Sequence, residues 1–417
     1  MASQSRKLNI GRYDILSYVT FTSYAICSLV IPIALVAMGN DLEFPMDGGG
    51  MSRGGVLHLM RSAAMVVVLL MCGSLAARFG KRRSVGWAML LSGSGIILCA
   101  FSEYYWLLLP FMLIAGFGEG ICEGLATPFV ETLHPGDPER YVSIAHSFWP
   151  VGTAVSVLGA GKLLDMGVSW RSVLFICGAG SLLVGILYFA GRRGVQNGFD
   201  ILEKANDKSS GIAVGKESRA ILRSGRFWVY CFGMFIGAGA EFTLTFWAAT
   251  YLQLNFNATP WQAGVGTAAI AAGMFAGRTL FGYFARERYL KHILLWSSLA
   301  TIPLTLLLAF LKPEFFPSQT AMYAALMVLL FVSGIGIAPY WPVLQVYGVK
   351  QLKEFDSTLL YIYYSAVGVP GCGLFSWLLG ACGDRYGLNG AFCMIPATLV
   401  VYAVTILLEG WIFAKKR

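Results

Sequence analysis

Long apolar runs recur from one end of the chain to the other, each near the length that crosses a bilayer. Polar breaks separate twelve expected spans, near 14–38, 53–77, 84–102, 105–132, 141–164, 170–190, 226–253, 259–284, 290–311, 318–346, 357–381 and 388–412. A soluble core does not repeat apolar runs of about 20 residues, so the pattern predicts a polytopic, all-α membrane protein. Runs interrupted by Pro or Gly still qualify, because membrane helices tolerate both. The longest polar interval, GRRGVQNGFDILEKANDKSSGIAVGKESRAILRSG over 191–225, leaves six spans on either side. The expected organisation is a six-helix bundle over 1–190, a cytoplasmic linker over 191–225 and a second, pseudo-symmetric six-helix bundle over 226–417. Such internal duplication is typical of secondary transporters.

Composition agrees: 57% of residues are hydrophobic and only 13% charged. The charges are distributed unevenly between the loops. One side collects Arg6, Lys7, Arg12, Arg78, Lys81, Arg82, Arg83, Arg140, the cluster from Arg192 to Arg226, Arg286, Arg288, Lys291, Lys350, Lys353 and the tail Lys415, Lys416, Arg417. The other side has Arg53, Lys162, Arg171, Lys312 and Arg385. Cytoplasmic loops carry the basic excess, so both termini are expected in the cytoplasm, and the setting expected is a bacterial inner membrane. The net charge of +9 then reports topology and is no sign of nucleic-acid binding. All nine cysteines fall in expected spans or, for Cys382, one residue beyond, without metal-ligand spacing, and read as small buried hydrophobes. The first apolar stretch is too long for a cleaved signal. Asn257, Ala258 and Thr259 match a glycosylation pattern, which is short and common.

The halves echo one another. GSLAARFGKRRS follows the second span and GRTLFGYFARERYLK closes the eighth, each with Gly, an aromatic and a basic cluster. GSLAARFGKRR, residues 73–83, resembles the loop signature of the major facilitator superfamily, with Ala77 where that pattern has Asp. This resemblance implies the major facilitator fold, with Arg78, Gly80 and Arg82 at the cytoplasmic gate. Arg278, in the corresponding GRTLFG, reads as a structural link at that gate. CEGLATPFVETLHP, residues 122–135, resembles the fourth-helix motif of the fucose–galactose–glucose proton symporters. YVSIAHSFWPVG, GAGAEFTLTFWAATYLQ and GMFAGRTLFG are similar to that family's fifth, seventh and eighth helices. The resemblance implies that Glu123 takes the place of the proton-accepting carboxylate. The family also uses a first-helix acid, whereas SYAICSLVIPIALV carries hydroxyls and a thiol but no acid.

An ionisable group in hydrocarbon is expensive and marks a functional candidate. Glu119 and Glu123 stand four residues apart and share one helix face, where two like charges oppose joint ionisation. A carboxyl that exchanges a proton suits a proton-coupled carrier; the alternative is a neutral pair that locks helix packing. The surrounding Gly116, Gly118, Gly120 and Gly124 admit a neighbouring helix closely. His146, at about the depth of Glu123, either shares its hydrogen bond or merely packs. Glu241, about fifteen residues into its span and so near mid-membrane, is expected to bind substrate together with Trp247; the alternative is a structural partner for a hydroxyl or an Arg. Trp149 either stacks on a sugar ring or fills space. Arg61 is expected to neutralise Glu119 or Glu123, to bind an anionic solute, or to snorkel. In GIGIAPYWPVLQVYG, Pro339 and Pro342 interrupt the tenth span, and Tyr340, Trp341 and Gln345 form a polar-aromatic patch expected to contact the substrate. Tyr361, Tyr363 and Tyr364 follow in the eleventh, offering an apolar face and a hydrogen-bonding tip each.

No GxxxxGK[ST] loop or HExxH motif is present, so neither ATP hydrolysis nor zinc chemistry is expected. The expected protein is a monomeric carrier without cofactor, working by alternating access in the lipid bilayer. It imports a small, neutral, sugar-like solute with a proton. Proton-driven export of a cationic or amphipathic compound is the second reading, and carriage of an organic anion balanced by Arg61 the third. A membrane-embedded enzyme or a receptor is the remote alternative, because a duplicated six-helix plan needs neither.

Overall fold

The computed structural model describes residues 10–134, 138–190, 211–284 and 287–414. Arg6, Lys7, Arg286, the 415–417 tail and most of the linker therefore lie outside the described residues. Within them every regular element is helical. The first six expected spans are met by α1 (Arg12–Asp41), α2 with α3 (Met51–Leu69, Cys72–Phe79), α4 (Lys81–Ala100), α5 (Tyr105–Leu133), α6 (Pro138–Asp165) and α7 (Trp170–Phe189). A short helix, α8 (Gly211–Arg223), closes the linker. The last six spans are α9 (Gly225–Phe256), α10 (Pro260–Phe284), α11 (Leu290–Phe310), α12 with α13 (Gln319–Ile337, Pro342–Gln351), α14 (Ser357–Phe392) and α15 (Met394–Ala414). Eight described stretches are long and apolar enough to cross a membrane, nine counting α2 and α3, which bend by 57° at their break, as one. Of the rest, α6 packs between α1 and α10, α10 packs on α6 and α12, and α15 packs on α9 and α11.

Breaks fall where backbone chemistry requires them. The loop between α3 and α4 is one residue, Gly80, at φ 80° and ψ 150°, a conformation that side chains resist. The tenth span ends at Ile337 and restarts at Pro342, whose missing N–H costs nothing in a first helical turn. Gly387, at φ 75°, interrupts α14 and marks the real end of the eleventh span.

Glycine decides how closely helices meet. A Cβ on Gly116 would lie 2.3 Å from the Arg61 carbonyl oxygen, one on Gly120 2.7 Å from the Met65 carbonyl oxygen, and one on Gly124 2.6 Å from Cys72 Sγ. One stripe of α5 is thus pressed onto α2 and α3, while Gly118 on another face meets Ser92 of α4 at 2.3 Å. Close approaches also join the first six spans to the last six. Gly55 of α2 meets Trp377 of α14, Gly380 of α14 meets Met51, Gly161 of α6 meets Pro260, and Gly264 of α10 meets Val157. These four lie toward the end of the molecule opposite the basic loops. There the Asp384 carboxylate accepts from the Met51 and Ser52 backbone N–H groups, each at 2.8 Å. Deeper in, His58 Nδ1 and Ser376 Oγ lie 2.9 Å apart, with the His58 ring stacked on Phe246.

Candidate functional site

Two charge groups stand out, one among the first six spans and one on two helices of the last six. The first is built by α1, α2 and α5. Arg61 and Glu119 are 3% and 1% exposed, with Arg61 Nε 3.7 Å from Glu119 Oε2. The Ser28 hydroxyl donates to the same oxygen at 2.8 Å, and Arg61 Nη1 donates to the Ser28 carbonyl at 2.8 Å. One turn along α5, Glu123 is half-buried and accepts from the Tyr24 hydroxyl at 3.4 Å. Among the described residues no cation forms an ion pair with it.

The first helix thus answers the acids of α5 with hydroxyls. Tyr24 and Ser28 are four residues apart, as are Glu119 and Glu123, and the order is reversed because the two helices run antiparallel. Where the resemblance leads one to expect a first-helix acid, this chain places a phenol and an alcohol. The matching spacing was visible in the sequence, but it becomes a signal only once α1 is known to lie against α5.

The second group is built by α9 and α10. Arg278 Nη2 donates to Glu241 Oε1 at 3.1 Å. Glu241 is 2% exposed and Arg278 28%, so the guanidinium forms the more open side of the pair. Among the described residues, Glu241 Oε2 and Arg278 Nε find no hydrogen-bond partner. The guanidinium carbon lies 5.7 Å from the ring centre of Trp149, which comes from α6. Trp149 is one turn from His146 on α6, and His146 meets Thr127, which is one turn from Glu123 on α5. Arg278, expected at the cytoplasmic gate, thus stands inside the central group; the reach of its side chain and the approach of α10 to α6 put it there.

Aromatic rings connect the two groups. Trp149 meets Phe242 edge-on at 6.4 Å, and Phe242 meets Trp341 edge-on at 6.4 Å. All three are half-buried. Phe242, next to Glu241 in the chain, had no polar signature to single it out. His146 is exposed, with Nε2 2.8 Å from Thr127 Oγ1 and its ring 4.7 Å from Phe21. It belongs to the same open region as Glu123, but its hydrogen bond goes to the threonine and not to the acid.

Other expected site residues make the following contacts. Trp247 is fully buried and donates from Nε1 to the Ser376 carbonyl at 2.9 Å, away from the central group. Tyr340 is buried against Tyr402, and Tyr364 stacks on Phe227. Gln345 donates to Ser365 Oγ at 3.1 Å, joining α13 to α14. At the basic end, Arg78 is exposed over Phe79 and Gly80 forms the turn. Arg82 is 2% exposed and donates to the Tyr188 carbonyl at 2.6 Å, which ties α4 to α7 rather than one set of six spans to the other. His58, unremarked in the sequence, is a buried polar link between α2 and α14.

Known proteins agree with this architecture. A bacterial homologue of the human lysosomal transporter Spinster, solved in an inward-facing, occupied conformation, aligns over 97% of both chains with a TM-score of 0.73 and 16% identity. The nucleoside transporter NupG aligns over 95% of this chain and 97% of its own, with a TM-score of 0.73 and 16% identity. The E. coli fucose:proton symporter covers 95% and 98%, with a TM-score of 0.62 and 16% identity. At such identity these likenesses concern the fold. In sequence, a putative metabolite transport protein of Haemophilus influenzae is 26% identical over 62% of this chain and 63% of its own. Myo-inositol transporter 1 of Saccharomyces cerevisiae is 25% identical over 34% of this chain. The matches span less than two thirds of these relatives' own lengths, 63% and 24% respectively. Residues 16–314, well over half the chain, match the Major Facilitator Superfamily, and this chain belongs to that family of multi-pass membrane transporters.

Proposed function

We propose that this transporter imports a small, neutral, polyhydroxylated solute together with a proton. The observation that carries the reading is Glu123. Arg61 serves Glu119 and Arg278 serves Glu241, which leaves Glu123 as the acid of the central group without an ion pair. Such a carboxyl can gain or lose a proton without breaking a salt bridge, and its half-buried position gives a proton a route to it. The rings of Trp149, Phe242 and Trp341 offer apolar faces of the kind that sugar rings stack on, and the free Glu241 oxygen offers a hydroxyl acceptor. A fucose:proton symporter among the structural neighbours and an inositol transporter among the relatives support the same solute class.

Alternating access would follow from rocking 1–190 against 226–417, with 191–225 as their linker. We place the basic loops and both termini in the cytoplasm of a bacterial cell, the chain in its inner membrane, and a monomer as the working unit. The structure, joined at the opposite end, then represents an inward-facing state. A second reading, export of a cationic amphipathic compound, is favoured by the same excess of acid over guanidinium beside aromatic rings.

The test is accumulation in proteoliposomes under an imposed proton gradient, across sugars and polyols, nucleosides, organic cations and organic acids. The expected result is gradient-driven uptake of one polyol or sugar, lost in Glu123→Gln while solute exchange survives. Undiminished accumulation in that variant would remove Glu123 from coupling. Gradient-driven export of a cation would select the second reading.

A further inference from the structure

The helices that carry the two sides of the central group are also in backbone contact at their far ends. Gly161 of α6 meets Pro260, and Gly264 of α10 meets Val157. Arg278 lies fourteen residues beyond Gly264 on α10, about 21 Å along the helix at 1.5 Å per residue. A rigid-body rotation of about 15° around that contact would move a group at this distance by ~5 Å relative to α6. Arg278 of one half thus stands over Trp149 of the other where the two halves move appreciably past each other.

Arg278 is held in a way that permits exchange. It contacts Glu241 through one nitrogen and one oxygen, whereas a two-pronged pair would hold it far more firmly. Glu123 accepts from Tyr24 of α1 and lies one turn from Glu119 and from Thr127, whose hydroxyl meets His146 of α6; His146 in turn is one turn from Trp149, over whose ring the Arg278 guanidinium of α10 lies. Arg61 is engaged by Glu119 and the Ser28 carbonyl. Arg278 is therefore the cation within reach that belongs to the opposite half and is not fixed at both ends.

We infer that Arg278 is a shared counter-ion, paired with Glu241 while the basic end is open and transferred to Glu123 when that end closes. This rests on the reading of Glu123 as the coupling acid and adds the means by which its proton is felt by the other half. An ionised Glu123 attracts Arg278 and favours closure of the basic end. A proton arriving on Glu123 removes the attraction, returns Arg278 to Glu241 and lets the basic end reopen. An unprotonated, empty carrier is thereby returned to face the opposite side, as proton symport requires. Arg278 is a positioning residue in this scheme, acting through the two acids.

The test needs no knowledge of the solute. Spin labels are placed on the full chain in lipid nanodiscs at Gly73→Cys of α3 and Lys350→Cys of α13, both exposed at the basic end, with the half-buried Cys177, Cys382 and Cys393 replaced by serine. Pulsed electron spin resonance gives the populations of long and short distances at pH 5 and pH 8. The expected result is a rise of about fivefold or more in the short-to-long ratio at pH 8, the lower end of couplings between sites. Arg278→Lys retains the rise and Arg278→Gln abolishes it, as does Glu123→Gln. A full response in Arg278→Gln, with Glu123→Gln unresponsive, would overturn the role of Arg278 and leave that of Glu123 standing. A full response in Glu123→Gln, or none in the parent chain, would overturn both.

Discussion

Replacing Glu119 by leucine would strip Arg61 of its anion where water does not reach. The two side chains are 1% and 3% exposed and 3.7 Å apart. At an effective dielectric of about 20 that separation corresponds to about 4 kcal/mol of attraction. Loss of one member of a buried pair typically costs ~3–5 kcal/mol, because the remaining charge keeps its desolvation penalty. The Ser28 hydroxyl loses its acceptor as well, a further ~1 kcal/mol. Glu119→Leu is therefore expected to destabilise the protein by about 4 kcal/mol. The double variant Arg61→Met, Glu119→Leu removes both charges and is expected to lie within ~2 kcal/mol of the parent. The assay is reversible unfolding in mixed detergent micelles, followed by tryptophan fluorescence, for all four members of the cycle. A coupling of at least ~2 kcal/mol between the two positions is the expected signature. Costs that simply add, or a Glu119→Leu variant within ~0.5 kcal/mol of the parent, would refute the buried-pair account and return Glu119 to the pool of freely titrating acids.

Three further outcomes follow from the geometry. Asp384→Ala removes the carboxylate that caps α2 from α14; at ~1–2 kcal/mol for such a cap, distances between labels at Asp47→Cys and Tyr386→Cys should shift toward separation by about fivefold or more, and an unchanged distribution would exclude this contact as a latch. Gly264→Val sets a branched side chain where even a Cβ would lie 2.3 Å from the Val157 carbonyl oxygen, so the same label pair should again report opening; a parent-like distribution would show that the α6–α10 contact does not hold the ends together. Trp247→Phe should lower thermal stability by roughly 1 kcal/mol through the lost bond to the Ser376 carbonyl without changing solute affinity, whereas Trp149→Ala should weaken binding; a binding loss confined to Trp247→Phe would reverse these roles.

The fold was legible in the sequence because its signals are local. Runs of apolar residues state their own length, the 191–225 interval divides them, and Pro339 and Pro342 interrupt the tenth span wherever the chain goes. The glycine stripe of α5 could also be read, since any helix carrying it invites a close neighbour. Glu119, Glu123, Glu241 and Arg61 stood out because a charge inside an apolar run is conspicuous on its own.

Partnership was not legible, because it depends on which helices lie side by side. The i, i+4 pair of acids suggested one protonatable unit. Only the packing of α1 and α2 against α5 separates them, giving Arg61 and Ser28 to Glu119 and leaving Glu123 with Tyr24. Arg278 sits in a motif that reads as a gate, yet a long flexible side chain and the approach of α10 to α6 carry its charge to Glu241 and Trp149. Trp247 and Trp149 look equivalent as letters in a span; one is sealed against Ser376 and the other faces the central space. Sequence alone determined which residues were costly to bury and roughly where each span runs. The tertiary structure decided which of those costs are balanced, because a counter-ion or a hydroxyl acts over a few ångströms and the chain brings it there from another helix.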